Sequence, residues 1–495
     1  MSAAAAAGAA ERAVIDAVPK ELFIGRWRPA ASGARFPVRD PSTGQVLCEV
    51  AKASAGDAVA ALDLAVASQH DWAAVPSRER AEILRRCYER LTADAESLAL
   101  LITLEMGKPL AEARGEVAYA AEFLRWFSEE AVRIGGRYAT SPEGTLRMLT
   151  TRQPVGPCLL ITPWNFPLAM GTRKLAPALA AGCTAILKPA AQTPLASLAL
   201  VQILRDCGLP DGVVGVVPTT DARGVITPLI EDGRARKLSF TGSTPVGRSL
   251  SEQCGRRLMR VSMELGGNAP FIVFPDADLE QAVAGAVVAK MRNIGESCIA
   301  ANRFYVHADV ADAFTAGLAE GLAGLRVGRG TEPGVQVGPL IDDVAVQGVD
   351  ALVRDAVDRG ARAVVGGEPV PGAGHFYRPT VLTGVAADAR ILHEEIFGPV
   401  APVVTFRDED EVVVRANATP YGLVSYVFTD DLDRALRLGD RLDSGMIGVN
   451  VGVVSNPAAP FGGIKDSGLG REGGAEGIDE YLDVKYLAIA NRSGS

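Results

Sequence analysis

From about residue 155 the chain keeps a strand-then-helix rhythm, and this constrains its fold more than any other feature. Short apolar runs fall at 158–162, 184–188, 213–217, 237–240 and 261–264. Between them lie helix-like stretches such as 167–181, closed by Gly182, and 194–207, closed by Gly208, where glycine accepts the left-handed stop conformation. Short strands separated by crossover helices build a parallel, doubly wound sheet. A second series of strands follows Asn268, at 269–274, 303–307, 363–366, 379–382 and 402–406. The expected fold class is therefore α/β, with two doubly wound, Rossmann-like domains. Residues 1–135 and 155–268 make the first domain, with 446–475 returning to it, and 269–445 make the second. Two β-like stretches, 145–151 and 481–490, lie outside both. They predict a small arm from 136–154 and 476–495 that pairs between subunits of a homo-oligomer, dimer or tetramer.

Composition narrows the function. The 495 residues carry 50 Lys and Arg against 59 Asp and Glu, a net charge of −9, with no basic run, so no nucleic acid is expected as partner. The longest uncharged stretches, 153–172 and 444–464, are broken by Pro154, Pro157, Pro163 and Pro167 and by Gly445, Gly448, Gly452 and Asn450, so no membrane-spanning helix is expected. The first ten residues are alanine-rich, with no positive charge before them, and lead into Glu11 and Arg12. They lack the layout of a secretory signal and read as a loose tail on a cytoplasmic protein. Seven cysteines without a Cys-x-x-Cys argue for a reducing compartment. The four histidines include no pair one helical turn apart, so no metal is expected.

Open parallel sheets bind ligands beyond the carboxyl ends of their strands. Asn165, Lys188, Ser243 and Glu264 all fall there. Singly each is an ordinary loop residue; together they mark one edge. The formal G-x-G-x-x-G from Gly468 to Gly473 has two glycines and no strand ahead of it, and is discounted as a dinucleotide fingerprint. A better phosphate cradle runs from Gly242 and Ser243 to Gly247, because it follows the run at 237–240 and Pro245 suits a helix start. Among the cysteines, Cys48, Cys87, Cys158, Cys183, Cys207 and Cys254 lie in or beside apolar or helix-like stretches, where thiols are usually inert. Cys298 instead occupies the polar, glycine-containing segment Asn293-Ile294-Gly295-Glu296-Ser297-Cys298, with no neighbouring histidine to make a hydrolase pair.

In order along the chain stand Thr162-Pro163-Trp164-Asn165-Phe166-Pro167, Phe240-Thr241-Gly242-Ser243-Thr244, Glu264-Leu265-Gly266-Gly267, Gly295-x-x-Cys298, Glu395-Ile396-Phe397-Gly398-Pro399 and Pro460-Phe461-Gly462-Gly463. With these motifs the chain resembles the NAD(P)-dependent aldehyde dehydrogenase superfamily from about Leu22 to Ala490. The resemblance implies that the first domain binds the cofactor and the second is catalytic. It implies Cys298 as the nucleophile, Glu264 as the general base, and Asn165 with the Cys298 backbone N–H as the oxyanion hole. It further implies that Glu395 holds the nicotinamide ribose, Phe397 packs beside the nicotinamide, Trp164 lines the cofactor cleft and Lys188 binds the adenosine ribose. Many NAD-preferring relatives carry Glu three residues after this lysine, whereas this chain has Ala191. Without that carboxylate to repel a 2′-phosphate, NADP is the expected preference, with NAD possible.

Within the superfamily the chain most resembles the succinate-semialdehyde dehydrogenase branch, through Leu187-Lys188-Pro189-Ala190, the segment from Gly266 to Phe274 and that from Gly468 to Gly473. That resemblance implies that Arg173, Arg292 and Ser455 bind a substrate carboxylate, with Phe166 and Phe461 as apolar walls. Ala300 stands where some members have a second cysteine, so no disulfide switch is expected, and Glu296-Ser297 replaces the more familiar Gln-Thr. Three alternatives stay open: another anionic short aldehyde such as glutarate semialdehyde or sulfolactaldehyde, a CoA-acylating enzyme, disfavoured by Glu264, and a non-catalytic relative, disfavoured by Cys298, Glu264 and Asn165 together.

Overall fold

A computed structural model describes residues 3–491. Two large sheets dominate it. The first has the spatial order Trp27–Arg28, Leu22–Phe23, Val214–Val216, Ala185–Lys188, Cys158–Ile161, Lys237–Thr241, Arg260–Glu264 and Gly468–Leu469. Its five central strands are parallel. The chain builds outward from Cys158–Ile161 on one side, then returns to lay Lys237–Thr241 on the other. That reversal is a topological switch point, and the segments leaving these two strands part there to open a crevice.

The second sheet runs Arg362–Val365, Thr380–Thr383, Val400–Phe406, Ala301–His307, Ala269–Val273, Val424–Phe428 and Met446–Val449, all parallel except the first. Its last strand corrects the expectation that residues from 446 onward return to the first sheet. Met446–Val449 pairs with Val424–Phe428, and the return begins later, with Gly468–Leu469 beside Arg260–Glu264. Only residues 265–268 join Arg260–Glu264 to Ala269–Val273. A link this short turns the carboxyl edge of the first sheet toward the amino edge of the second.

Strands Arg137–Thr140, Leu146–Pro154 and Leu482–Ala490 form a separate antiparallel sheet, with Leu482 opposite Pro154 and Ala490 opposite Leu146. The core divides accordingly into apolar clusters on the faces of each large sheet. The helix Ala169–Ala181 is buried along its whole length and ends at Gly182, which adopts φ 92°. One expectation at the start of the chain fails: Ala3–Ala17 is helical rather than loose. Alanine has the strongest helix propensity, and the helix is anchored by buried Ile15 and by Glu11, which pairs with Arg329 at 2.9 Å. Among the described residues no helix is long and apolar enough to cross a membrane, and no cluster of three or more His, Cys, Asp or Glu is arranged to hold a metal.

Candidate active site

The crevice predicted by the switch point is present as a cavity of about 240 Å³. Every site residue expected from the sequence lines it except Lys188 and Ala191. Trp164, Asn165 and Phe166 leave Cys158–Ile161, while Gly242 and Ser243 leave Lys237–Thr241. Glu264 closes the neighbouring strand, and Cys298 precedes Ala301–His307 at the facing edge of the second sheet.

The segment carrying Cys298 is bent by three successive residues with positive φ: Asn293 at 55°, Ile294 at 63° and Gly295 at 80°. For a β-branched residue such as Ile294 this conformation is uncommon, and it persists only where surroundings impose it. Here Asn293 Nδ2 donates to the Glu296 carbonyl at 2.8 Å, and the Asn293 N–H donates to Glu112. Asn165 Nδ2 donates to the same Glu296 carbonyl at 3.1 Å, which ties the candidate oxyanion donor to the segment carrying the thiol. The Cys298 thiol is half-buried. Burial pushes it up to about 12; Arg173 pulls against this, Glu264 and Glu395 add to it, and Arg292 again opposes. The resting thiol is therefore protonated at neutral pH.

Glu264 is buried, and neither of its carboxyl oxygens has a hydrogen-bond partner. Burial and the charge of Glu472 push it up to about 8 against Arg173, Lys174 and Arg471. An unpartnered buried carboxyl facing a cavity suits a base that binds water transiently.

The two arginines differ in their surroundings. Arg173 Nε lies 2.6 Å from Glu472 Oε2, and its guanidinium stacks 3.7 Å from the centre of the Phe461 ring. Its Nη2 is buried without a hydrogen-bond partner. Arg292 forms no ion pair among the described residues and instead donates from Nη1 to Ser455 Oγ at 3.1 Å, with Phe166 5.2 Å and Tyr119 5.8 Å from its guanidinium carbon. Sequence reasoning missed Glu472 and Tyr119. Glu472 lies inside the discounted G-x-G-x-x-G, so its acidic character in a glycine-rich turn was the available signal. Tyr119 sits on the long helix Leu110–Ala131 and carries no motif.

A dinucleotide fits the remaining residues. Ser243 caps the helix Thr244–Gly255, yet its hydroxyl makes no capping bond, leaving the helix start open to phosphate. Lys188, 7% exposed, forms no ion pair among the described residues, and burial pushes its ammonium down to about 8, so an anion placed there would favour its charged form and raise it again. Ala191 follows it and is half-buried. At the other end Trp164 and Phe397 meet edge to face at 5.4 Å, and Glu395 Oε1 accepts from the Gly267 N–H at 3.0 Å.

A thiol, an unpartnered carboxyl and an amide donor gathered in a crevice fitted for a dinucleotide are the equipment of an oxidoreductase. The sequence pattern of the aldehyde dehydrogenase family matches residues 27–487, and the chain belongs to that family. It is 58% identical to a succinate-semialdehyde dehydrogenase of Paenarthrobacter nicotinovorans, over 90% of this chain and 99% of that one. It is 48% identical to the NADP(+) succinate-semialdehyde dehydrogenase of Escherichia coli K12, over 94% and 97% respectively. The crystal structure of a succinate-semialdehyde dehydrogenase from Burkholderia pseudomallei superposes with a TM-score of 0.95 at 46% identity, covering 96% of this chain and 98% of that one.

Proposed function

We propose that the protein oxidises succinate semialdehyde to succinate with NADP, accepting NAD less well. The observation that carries this reading is Arg292, a guanidinium with no carboxylate partner among the described residues, bonded to Ser455 in the same cavity as Cys298. A charge left in this state invites an anionic substrate group, which a planar guanidinium can hold bidentately. Arg173 Nη2 offers a further donor, and Phe166 and Phe461 flank the carbon chain.

The chemistry follows from the residues. The Cys298 thiol, partly exposed in the cavity, gives its proton to solvent water, with the positive charges of Arg173 and Arg292 favouring the anion, and the thiolate adds to the aldehyde carbon while Asn165 Nδ2 with the Cys298 N–H receives the developing oxyanion. When bound, the oxidised nicotinamide supplies the hydride acceptor. Lys188, Gly242 and Ser243 would hold the dinucleotide's phosphates and adenosine ribose, Glu395 the nicotinamide ribose, with Trp164 and Phe397 against the ring. The acyl group then remains on sulfur as a thioester. Glu264 takes a proton from water, water attacks the thioester carbon, and the thiolate leaves. The cofactor unit is assigned to the first sheet and the catalytic unit to the second.

The arm carries exposed Tyr138, Val484, Tyr486, Leu487 and Ile489, an apolar edge that supports pairing between copies in a homo-oligomer. Seven free cysteines are consistent with a cytoplasmic enzyme.

The test compares Arg292→Ala with the parent on succinate semialdehyde and on a neutral aldehyde of similar size, with each cofactor. The variant raises KM for the acidic aldehyde by about 10–100-fold, from one or two charged hydrogen bonds, and leaves the neutral one nearly unchanged. Equal losses on both refute the assignment. Including glutarate semialdehyde and sulfolactaldehyde in the panel separates the acidic alternatives by kcat/KM.

A further inference from the structure

We propose that Lys108, held by Glu116, is a positioning residue for Asn165, an inference that rests on the oxyanion role given to Asn165 above. Lys108 lies between the helices Ala95–Met106 and Leu110–Ala131 and is 0% exposed. Its ammonium pairs with Glu116 Oε2 at 2.5 Å and donates to the backbone carbonyl of Asn165 at 2.8 Å. It also lies 4.0 Å from the centre of the Phe166 ring. The other oxygen of the same carboxylate, Glu116 Oε1, accepts from the N–H groups of Leu168 at 2.9 Å and Ala169 at 3.2 Å. One buried Lys–Glu pair thus fastens residues 165–169 at both ends, where the chain passes from the strand Cys158–Ile161 into the helix carrying Arg173.

The arrangement has a physical reason. Asn165 sits on an irregular turn, so its carbonyl has no place in a strand ladder, and a buried carbonyl requires a donor. A buried ammonium in turn is stable only with its partners in place, which makes the geometry stiff. Burial lowers the pKa of Lys108 and Glu116 works against that, favouring the charged form that donates to Asn165. Lys108 does not line the cavity, so it reaches the reacting atoms through Asn165. With Lys108 fixing the Asn165 backbone and the Glu296 carbonyl fixing its side chain, the second amide hydrogen is aimed rather than free to search. Preorganisation of this kind is what makes an oxyanion donor effective.

The test is a double-mutant cycle on the full-length enzyme with Lys108→Met, Asn165→Ala and both together. It reads kcat/KM for succinate semialdehyde at saturating NADP, alongside melting temperatures. Asn165→Ala lowers kcat/KM by about 10²-fold or more and Lys108→Met by about 10-fold or more, while Lys108→Met adds less than about 2-fold once Asn165 is gone. A merely structural lysine would lower the melting temperature and give additive losses. Additive losses, or a Lys108→Met enzyme of parental activity, overturn the proposal and leave the role of Asn165 standing. Parental activity in Asn165→Ala overturns that role and the proposal with it. Should Lys108→Met fail to fold, Lys108→Met with Glu116→Gln removes both charges, keeps an amide oxygen for Leu168 and Ala169, and is scored the same way.

Discussion

Arg173 and Glu472 meet as a buried ion pair, Nε to Oε2 at 2.6 Å, with side chains 3% and 5% exposed. Lys174 approaches the other carboxylate oxygen at 2.5 Å, and Arg173 Nη2 lies 3.8 Å from Glu264. Burial pushes Glu472 up, but Lys174 and Arg173 outweigh it and hold the carboxyl below its usual range. Arg173 is therefore part of a charge cluster around the proposed base as well as a cavity wall.

From this follows a contrast between the arginines. Arg173→Ala leaves Glu472 buried with one cation fewer, at a cost of about 3–5 kcal/mol in stability, and it lowers activity on neutral aldehydes as well as acidic ones, the acidic more because the Nη2 donor is lost too. Arg292→Ala removes no ion pair, so its stability stays close to the parent while its selectivity for acidic aldehydes falls. Thermal unfolding and kcat/KM on both aldehydes check the pair.

The pH dependence has a definite sign. Glu264, pushed up to about 8, is protonated and idle as a base below that value, and becomes active as pH rises through it. Where thioester hydrolysis limits turnover, kcat rises with pH through about 8 and then levels. Glu264→Gln abolishes the rise and leaves acyl-enzyme on Cys298, visible as a single burst of reduced cofactor with no steady state and as an acyl adduct in intact-protein mass spectrometry.

For the cofactor, Ala191→Glu places a carboxylate near Lys188, where a 2′-phosphate would meet it. Like charges brought together cost enough to lower kcat/KM for NADP by about 10²-fold, while NAD, with a hydroxyl there, is kept or improved. Steady-state kinetics with both cofactors measures the switch.

Much of the site could be read from sequence because its residues follow apolar runs that sequence reveals directly. Asn165, Ser243 and Glu264 each stand at or just past a strand of the first sheet, and topology alone brings them to one edge. Cys298 was singled out by the polar, glycine-bearing stretch before it. What escaped was pairing between distant segments. Glu472 belongs to a glycine-rich turn whose pattern suggested at best a weak phosphate loop, and nothing local shows that its carboxylate reaches Arg173 and Lys174. The difference between Arg173 and Arg292 was hidden for the same reason. Met446–Val449 was assigned to the wrong sheet because Gly445 and Gly448 make so short a run resemble a loop.

Gly267, in the short link between the two sheets, packs directly against the backbone carbonyl of Cys298. Its φ is not positive, so alanine suits the backbone there, but the space is filled. An added Cβ would sit 2.3 Å from the carbonyl oxygen of Cys298, a backbone atom that cannot yield without moving the residue. The same glycine donates its N–H to Glu395, so a shift disturbs both the thiol and the proposed ribose contact. Gly267→Ala therefore lowers kcat by about 10²-fold, the cost of an ångström-scale misplacement, and alters the rate at which iodoacetamide alkylates Cys298. Gly348→Ala is the control: the glycine lies in the helix Asp343–Asp358 with nothing within 4 Å of the new methyl group, so activity is unchanged and stability rises by about 0.4–1 kcal/mol. A Gly267→Ala enzyme with parental kcat and alkylation rate would show that the Cys298 segment can move aside at no cost, contrary to the tight backbone packing seen there.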